Sequence, residues 1–384
     1  MYVNSTIAIS GDGESWSNAF GKLDDALYTA WQCPSVTTIL VEKGTYIPSR
    51  KPYNMDINKK GIEVVTSDDR DRTFHIRPGL DIRGGYSGGV QNIPNNPTIL
   101  SGLIGTSINA YHTVVIDSSI NWAITGSLSQ ISGFVIKDAN ANGTGSVTVN
   151  ATTMNQNSGA GVCVLSGSSV LENNTISNNV ATSSGAGIAL YNSSNNVKNN
   201  TLTTNLSADL GGGIYTNNAN NSLYNNVIAS NTATNTGGGV YVFSGSNNIV
   251  NNTIHKNTAT NAGGGLYLST GINSLSNTVF WENKLGAISN VSGADFSNNT
   301  ATNTLKNCLL QLPNTNYTNT GSGNYDLGVN AAANVFGINP VFLNPNNIAG
   351  ADNLHRTADD GLQISAYGLL INKGDHGFFT NVML

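Results

Sequence analysis

Charge and cysteine are both scarce in this chain of 384 residues. Only 10% of the residues are charged, against about a quarter in a typical globular domain, and the net charge is −5. Such a balance leaves no basic surface for nucleic acid or an acidic membrane, so neither is predicted as a partner. The three cysteines, Cys33, Cys163 and Cys308, are odd in number and far apart. They predict neither a disulfide framework nor a metal site.

Long apolar runs are missing as well. No stretch approaches the roughly 18 apolar residues of a membrane span, so no span is predicted. The opening segment, MYVNSTIAISGDGESW, has neither the basic start nor the apolar core of a signal peptide. The chain is therefore either a cytosolic protein or the mature part of an exported one, and its composition favours the second.

What the chain does have is a repeat. Glycine-rich triplets begin every 26 residues, at Gly159, Gly185, Gly211, Gly237 and Gly263. Two other columns keep the same step: Asn173, Asn199, Asn225, Asn251 and Asn277, and then Ile176, Leu202, Ile228, Ile254 and Phe280. Five registers without an insertion indicate one supersecondary unit stacked on its own copies.

Each unit contains three short apolar segments separated by Asn, Gly and Ser turns, and no helical periodicity. This pattern predicts an all-β solenoid in which each coil adds one strand to each of three parallel sheets, with coils about 4.8 Å apart. Strand alternation directs Ile188, Ile214, Val240 and Leu266 inward, together with Leu190, Val242 and Leu268, and leaves Thr216 as the polar exception. The Asn173 column is expected at a tight turn, where a buried amide can bond its copy one coil on.

The ends of the chain differ from the repeat. Residues 1–83 are predicted to form an N-terminal cap and the first irregular coils, residues 84–310 the solenoid with regular coils over about 159–283, and residues 311–384 the last coils and a C-terminal cap. The segment SWSNAFGKLDDALYTAW has helical spacing, with Ser15 or Ser17 as its N-cap. The stretch from Lys137 to Ser158 is about 14 residues longer than its equivalents and predicts a projecting loop.

The order of these segments carries a resemblance. GDGESWSNAFGKLDDAL, GTYIPS, RTFHIRPGLDIRGGYSGG, TILSG, ISGFVI, the repeated NNTI and GGGIY, NPVF and RTADDGLQI together resemble right-handed parallel β-helix repeat proteins of the pectate-lyase-like superfamily, of the type exported to Bacteroidetes surfaces. The resemblance implies a right-handed helix and an extracellular or cell-surface location. It leaves the activity open, because that superfamily holds lyases, hydrolases, adhesins and binding modules.

The outward column of the glycine-triplet strand is Cys163, Ala189, Tyr215, Tyr241 and Tyr267, which contains neither an acid nor a strong base. Tyr215, Tyr241 and Tyr267 are expected to project from consecutive coils as a row of rings on which sugars can stack. The same row can instead simply stabilise neighbouring strands, as cross-strand aromatic pairs do.

A second candidate cluster lies at the end of the regular coils, where stacking places His255 under Trp281 and Lys256 under Glu282. These four residues are a candidate sugar site, and a solvated surface patch is the alternative. The segment SDDRDRTFHIR concentrates charge around Arg70, Arg72 and His75, where mutual pairing is the simplest interpretation. Asp359 and Asp360 are possible Ca²⁺ ligands, although they lack the spacing of a dedicated calcium loop. No other cofactor is predicted.

These observations favour an exported, non-catalytic β-helix module that binds an extracellular polysaccharide or other glycan. The alternative from another class is a polysaccharide lyase or glycoside hydrolase, with its site on the charged N-terminal loops. It would require Arg70, Arg72 or His75 to converge with a carboxylate in an open groove. A structural spacer without a ligand is the third possibility, and a threonine ladder (Thr232, Thr258) that binds ice is a distant fourth.

Overall fold

The computed structural model of this chain describes residues 1–7, 9–117, 128–289, 291–311, 325–326, 334–355, 357 and 360–363. Almost every strand in it pairs in parallel with the strand one coil further along the chain. In the regular coils the partners are 26 residues apart, as Ile228 and Ile254 are. The chain is therefore a parallel β-helix, as the repeat predicts.

Two long sheets form two sides of each coil. Sheet 1 contains, in order along its ladder, Tyr2–Val3, Thr38–Glu42, Asp81–Ser87, Ser129–Ser132, Ser169–Glu172, Asn196–Lys198, Ser222–Tyr224, Ser246–Val250, Ile272–Ser276, Thr302–Lys306 and Tyr325–Asp326, with Val90–Gln91 antiparallel to Asp81–Ser87. Sheet 2 contains Gly44–Tyr46, Thr98–Ser101, Phe134–Lys137, Thr175–Ser177, Thr201–Thr203, Val227–Ala229, Thr253–His255, Val279–Trp281, Leu309–Leu310 and Val335–Phe336.

The strands that follow the glycine triplets form a third sheet, the glycine sheet. It contains Phe74–Ile76, Val114–Asp117, Val162–Ser166, Ile188–Tyr191, Ile214–Asn217, Val240–Val242, Leu266–Leu268 and Phe296–Asn298. The three predicted sheets are thus confirmed.

A narrow fourth sheet lies between sheet 2 and the triplets. Its strands are Asn140–Ala141, Val180–Ala181, Leu206–Ser207, Thr232–Ala233, Thr258–Ala259, Lys284–Leu285 and Ile288–Ser289, the last antiparallel to its neighbour. Two residues per coil are too few to produce an apolar alternation, so the sequence pattern does not reveal this sheet.

The core consists of like residues stacked on like. Ile188, Ile214, Val240 and Leu266 are fully buried, as are the Ile176 column and the leucine and valine side chains of sheet 1. Thr216 is also fully buried between Leu190 and Val242, and its hydroxyl has no hydrogen-bond partner. The predicted inward columns and their polar exception are confirmed.

The asparagines divide their two expected roles between neighbouring residues. The Asn173 column adopts the left-handed backbone, with φ between 49° and 57°. The buried amide ladder belongs to the next residue of each coil: Asn200 donates to Oδ1 of Asn226, and Asn226 donates in turn to Oδ1 of Asn252. The prediction that one column does both was wrong, because a side chain at the turn position lies outside the coil while its neighbour points inward.

Two further buried ladders line the other corners. They are Asn179, Asn205, Asn231, Asn257 and Asn283, and then Asn195, Asn221, Asn247, Asn273 and Asn303. Amides in these rows also bond backbone groups that the coil turns would otherwise leave unpaired. The ladders therefore hold successive coils in register.

A helix closes the N-terminal end, but it is shorter than predicted. Ser15 caps a 3₁₀ turn at Trp16–Asn18, and the α-helix spans Leu23–Gln32. The chain is extended between them because the backbone of Phe20 bonds to Tyr2 and Asn4. Leu23, Ala26, Leu27 and Ala30 cover the first coil, as expected of a cap. A second 3₁₀ turn lies at Asp69–Asp71.

Two antiparallel hairpins complete the described structure, Tyr53–Met55 with Gly61–Glu63, and Ser146–Val149 with Thr152–Asn155. The second, here called the wall hairpin, is the extra segment after Lys137. It folds back on the outside of the glycine sheet, where Val147, Val149 and Met154 pack against Val115 and neighbouring residues. The prediction of a projecting loop was wrong, because the alternating apolar residues of this hairpin bury one of its faces.

Candidate functional site

One column runs along the outside of the glycine sheet. Its members in register are His75, Val115, Cys163, Ala189, Tyr215, Tyr241, Tyr267 and Ser297. The preceding triplets allow the coils to approach closely: a Cβ on Gly212 would lie 2.4 Å from the carbonyl oxygen of Thr232 and 2.5 Å from that of Gly238. The glycines thus have a structural role, and the side chains after them form the surface.

The three tyrosines stack on one another. Ring centroids of Tyr215 and Tyr241 are 5.6 Å apart with planes inclined by 15°, and those of Tyr241 and Tyr267 are 5.1 Å apart at 13°. Tyr215 and Tyr241 are each only 7% exposed, and Tyr267 is half-buried. The rings cover each other's faces, so Tyr215 and Tyr241 are not open platforms, and a role in sugar binding stays a prediction for all three.

Two further aromatic residues border this tyrosine ladder, and the sequence analysis missed both. The Tyr191 ring lies 5.8 Å from that of Tyr215 at an angle of 52°, and Phe243 is 45% exposed. Each stands two residues after a member of the outward column. Strand alternation could therefore have identified them as residues of the same face.

Neutral polar groups accompany the rings. The hydroxyls of Tyr215 and Tyr241 hydrogen-bond with Asn217 and Ser269. On the triplet side, Asn261 donates to Asn235 and Asn235 donates to Asp209, over 2.8 and 2.9 Å. Burial, followed by the neighbouring Tyr241, raises the pKa of Tyr215 to about 12. These hydroxyls are therefore uncharged donors and acceptors at neutral pH.

The wall hairpin blocks the N-terminal end of this face. Cys163 and Val115, the next members of the column, are buried beneath it. Between the hairpin and the first open coil lies a cavity of about 100 Å³, lined by Thr152, Thr153, Asn155, Ser158, Cys163, Leu165, Tyr191 and Asn192. None of these lining side chains carries a charge at neutral pH, since burial raises the pKa of Cys163 to about 12.

The charged N-terminal residues do not converge on a groove. Arg70 donates to the carbonyl oxygens of Asn109 and Asn140, over 2.8 and 2.6 Å, and lies 4.1 Å above the Tyr111 ring. Arg72 forms an ion pair with Asp69 at 2.8 Å. Local pairing, the simpler interpretation of this segment, accounts for both arginines.

His75 is also structural. It is fully buried, its Nδ1 accepts the backbone N–H of Tyr53 over 2.9 Å, and the Trp31 ring lies 4.9 Å away. Burial lowers the pKa of His75 to about 4, against the opposing influence of Asp117. A fully buried side chain cannot exchange protons with a polymeric substrate on the surface.

The cluster at the end of the regular coils is covered by the C-terminal segment. His255 and Trp281 are paired across sheet 2 as predicted, and Lys256 Nζ lies 3.5 Å from a carboxylate oxygen of Glu282. However, His255 is fully buried, 5.3 Å from the Phe342 ring. Lys256 Nζ donates to the carbonyl oxygen of Pro345 over 3.2 Å.

The interpretation of this cluster as a solvated patch was therefore wrong. Phe342 and Leu362 pack on Ala229 in the same sheet, so the face is apolar enough to hold a segment of the chain. Burial lowers the pKa of His255, and the Glu282 carboxylate opposes this shift. A sugar-binding role for His255, Lys256, Trp281 and Glu282 stays a prediction.

The remaining candidates concern metals and membranes. Asp359 lies outside the described residues, and the carboxylate of Asp360 accepts the hydroxyl of Thr357 over 3.2 Å. No group of three His, Cys, Asp or Glu side chains suited to a metal ion occurs in the described ranges. In that part of the chain, too, no helix has the length and apolar character needed to cross a bilayer.

Comparison with known proteins identifies the fold. Residues 132–309 match a family described as right handed beta helix region, which covers all the regular coils and the face that carries the tyrosine ladder. No curated protein and no solved structure matches the chain.

Proposed function

From a right-handed β-helix with an aromatic and amide-lined outer face, we propose that this protein is an exported, non-catalytic module that binds extracellular polysaccharide. The observation that supports this most is the repetition of the face. Each coil from Tyr215 to Tyr267 presents a phenol and a short polar side chain at the same position. A polymer of repeating sugars can contact such a row several times, and weak contacts then add up.

The chemistry of the face suits neutral sugars. Ring edges, phenol hydroxyls and amides contact sugars through apolar and hydrogen-bonding surfaces without needing charge. Phe243, the most exposed aromatic ring of the face, and the half-buried Tyr267 are the residues on which a pyranose ring would stack. Tyr215 and Tyr241 would contribute edges and hydroxyls.

The alternative of a lyase or hydrolase on the N-terminal loops has less support. Its candidate residues are engaged in the cap and the first coils: Arg70 and Arg72 in local bonds, and His75 in the interior. A catalytic acid or base must reach the proton that it transfers, which none of these arrangements permits on an open surface.

A panel of neutral and acidic polysaccharides tests the proposal, with binding and new unsaturated chain ends at 235 nm measured together. We expect binding without product for at least one neutral polymer, and a loss of at least tenfold in affinity for Phe243→Ala. Ile272→Ala is the matched control, since Ile272 is also an exposed apolar residue, 67% exposed, but belongs to sheet 1. Product formation would contradict the non-catalytic role, and absence of binding to every polymer would leave only a scaffold.

A further inference from the structure

The open part of the tyrosine ladder has a closed end. Tyr267, Tyr241 and Tyr215 are free of the wall hairpin, whereas Cys163, two coils before Tyr215, lies beneath it and is 2% exposed. A chain lying along the ladder toward the N-terminal coils would therefore meet the hairpin. It could not continue along the sheet past that point.

The cavity described above lies at this junction. Thr152, Thr153 and Asn155 line it from the hairpin, and Tyr191 and Asn192 from the first open coil. At about 100 Å³ it is well below the roughly 300–1,000 Å³ of pockets that enclose whole small-molecule ligands. It can admit the end of a chain and not a chain passing through.

The lining also defines the chemistry of that end. Hydroxyls and amides occupy most of the wall, and Leu165 and Cys163 form an apolar floor. The Tyr191 hydroxyl hydrogen-bonds with Ser158, so the ring has a fixed position beside the cavity. An anionic end would find no cationic side chain here to neutralise it, whereas a neutral sugar finds both hydrogen-bonding groups and an apolar contact.

We infer that the cavity between the wall hairpin and Tyr191 is a terminal subsite, which holds the last residue of a neutral glycan chain while the rest of that chain lies along the tyrosine ladder. The inference rests on the proposed function and makes it specific: the protein recognises chain ends and not chain interiors. Its capacity on a polymer is then set by the number of ends.

Neutral gluco-, xylo- and manno-oligosaccharides of two to six residues test this, together with the corresponding long polymers and a cyclic glucan. For any series that binds, we expect affinity per chain end to stay nearly constant with length beyond about four residues, and the cyclic glucan not to compete. Affinity that scales with mass instead of with ends would overturn the inference while the proposed function stands. Absence of binding to every probe would overturn both.

A variant in the hairpin separates the cavity from the ladder. Thr153→Trp should fill the cavity and reduce oligosaccharide affinity at least tenfold. Thr153 is exposed, so the fold tolerates the larger side chain, which a circular dichroism melt verifies. Thr148→Trp is the matched control, because Thr148 pairs with Thr153 across the hairpin and does not line the cavity. Equal affinities of the two variants would also overturn the terminal subsite.

Discussion

The regular coils and the coils that precede them keep buried polar groups satisfied in two different ways. Between residues 159 and 283, uncharged amides bond their own copies one coil further on, as Asn205 does with Asn231. In the N-terminal coils each polar group has its own partner. There Arg77 is buried and donates to the carbonyl oxygens of Ala30 and Pro78, each over 2.7 Å.

The difference follows from the repeat length. A constant step of 26 residues places each asparagine directly above its copy, so one residue type satisfies itself along a whole corner of the solenoid. Where the coil length varies, no copy lies in register. Ionic and aromatic side chains then have to reach individual carbonyl groups, as Arg77 and Trp31 do.

The ends of the ladders show the same rule. The Asn200 and Asn226 ladder stops at Thr278, whose hydroxyl accepts the N–H of Asn252 over 3.4 Å. The Asn283 ladder stops at Asp295, whose carboxylate accepts from both Asn283 and the backbone N–H of Gln311. A different acceptor thus closes each row where the repeat ends.

Breaking one ladder in its middle should have the largest effect on stability. Asn226→Ala removes the acceptor of the Asn200 backbone and side-chain N–H groups and the donor to the carbonyl oxygen of Val197. Buried groups left unpaired cost about 1–3 kcal/mol each, so we expect a loss of about 4 kcal/mol in the free energy of unfolding, measured by urea titration. Asn196→Ala, on an exposed residue of sheet 1, is the control and should change stability by less than about 0.5 kcal/mol. A loss below about 1 kcal/mol for Asn226→Ala would contradict the role of the ladders.

The N-terminal coils should carry a pH dependence that the uncharged ladders do not have. The pKa of His75 is about 4 in the folded chain and 6.5 in the unfolded one, so the unfolded chain binds the proton more readily. The stability due to neutral His75 is complete above pH 6.5 and is lost as the pH falls toward 4, by on the order of 3 kcal/mol.

His75→Gln isolates this contribution, because all other titrating groups remain in both proteins. Between pH 7 and pH 4, the natural chain should lose about 3 kcal/mol more than the variant in urea unfolding. Equal losses in the two proteins would show that His75 is not held neutral by burial.

The smallest predicted effect concerns the core of the regular coils and is a gain. Thr216 places an unpaired hydroxyl in an otherwise apolar column. Thr216→Val keeps the shape and removes the cost of burying that hydroxyl, so we expect stabilisation of about 1 kcal/mol. Thr234→Val, on an exposed residue, should be neutral. Destabilisation by Thr216→Val would mean that the hydroxyl has a partner that the geometry does not reveal.

The repeat made much of the fold predictable. Period and alternation were enough to place the Ile176 column inside, the Tyr241 column outside and Glu172 beside Lys198, which form an ion pair at 3.2 Å. The same reasoning failed where a nonrepeating segment returns to the solenoid. It predicted solvent around His255, which Phe342 covers, and a free loop where the wall hairpin packs.

By itself the sequence determined the stack: a constant 26-residue step, with like residues one above another, leaves the chain only one periodic way to bury its apolar columns and pair its amides. Which outer faces stay open was decided by the tertiary structure alone. The wall hairpin covers Cys163, the C-terminal segment covers His255, and the tyrosine ladder between Tyr215 and Tyr267 remains clear of both. Such contacts join residues far apart in the chain through surfaces that share no period, so no local pattern encodes them.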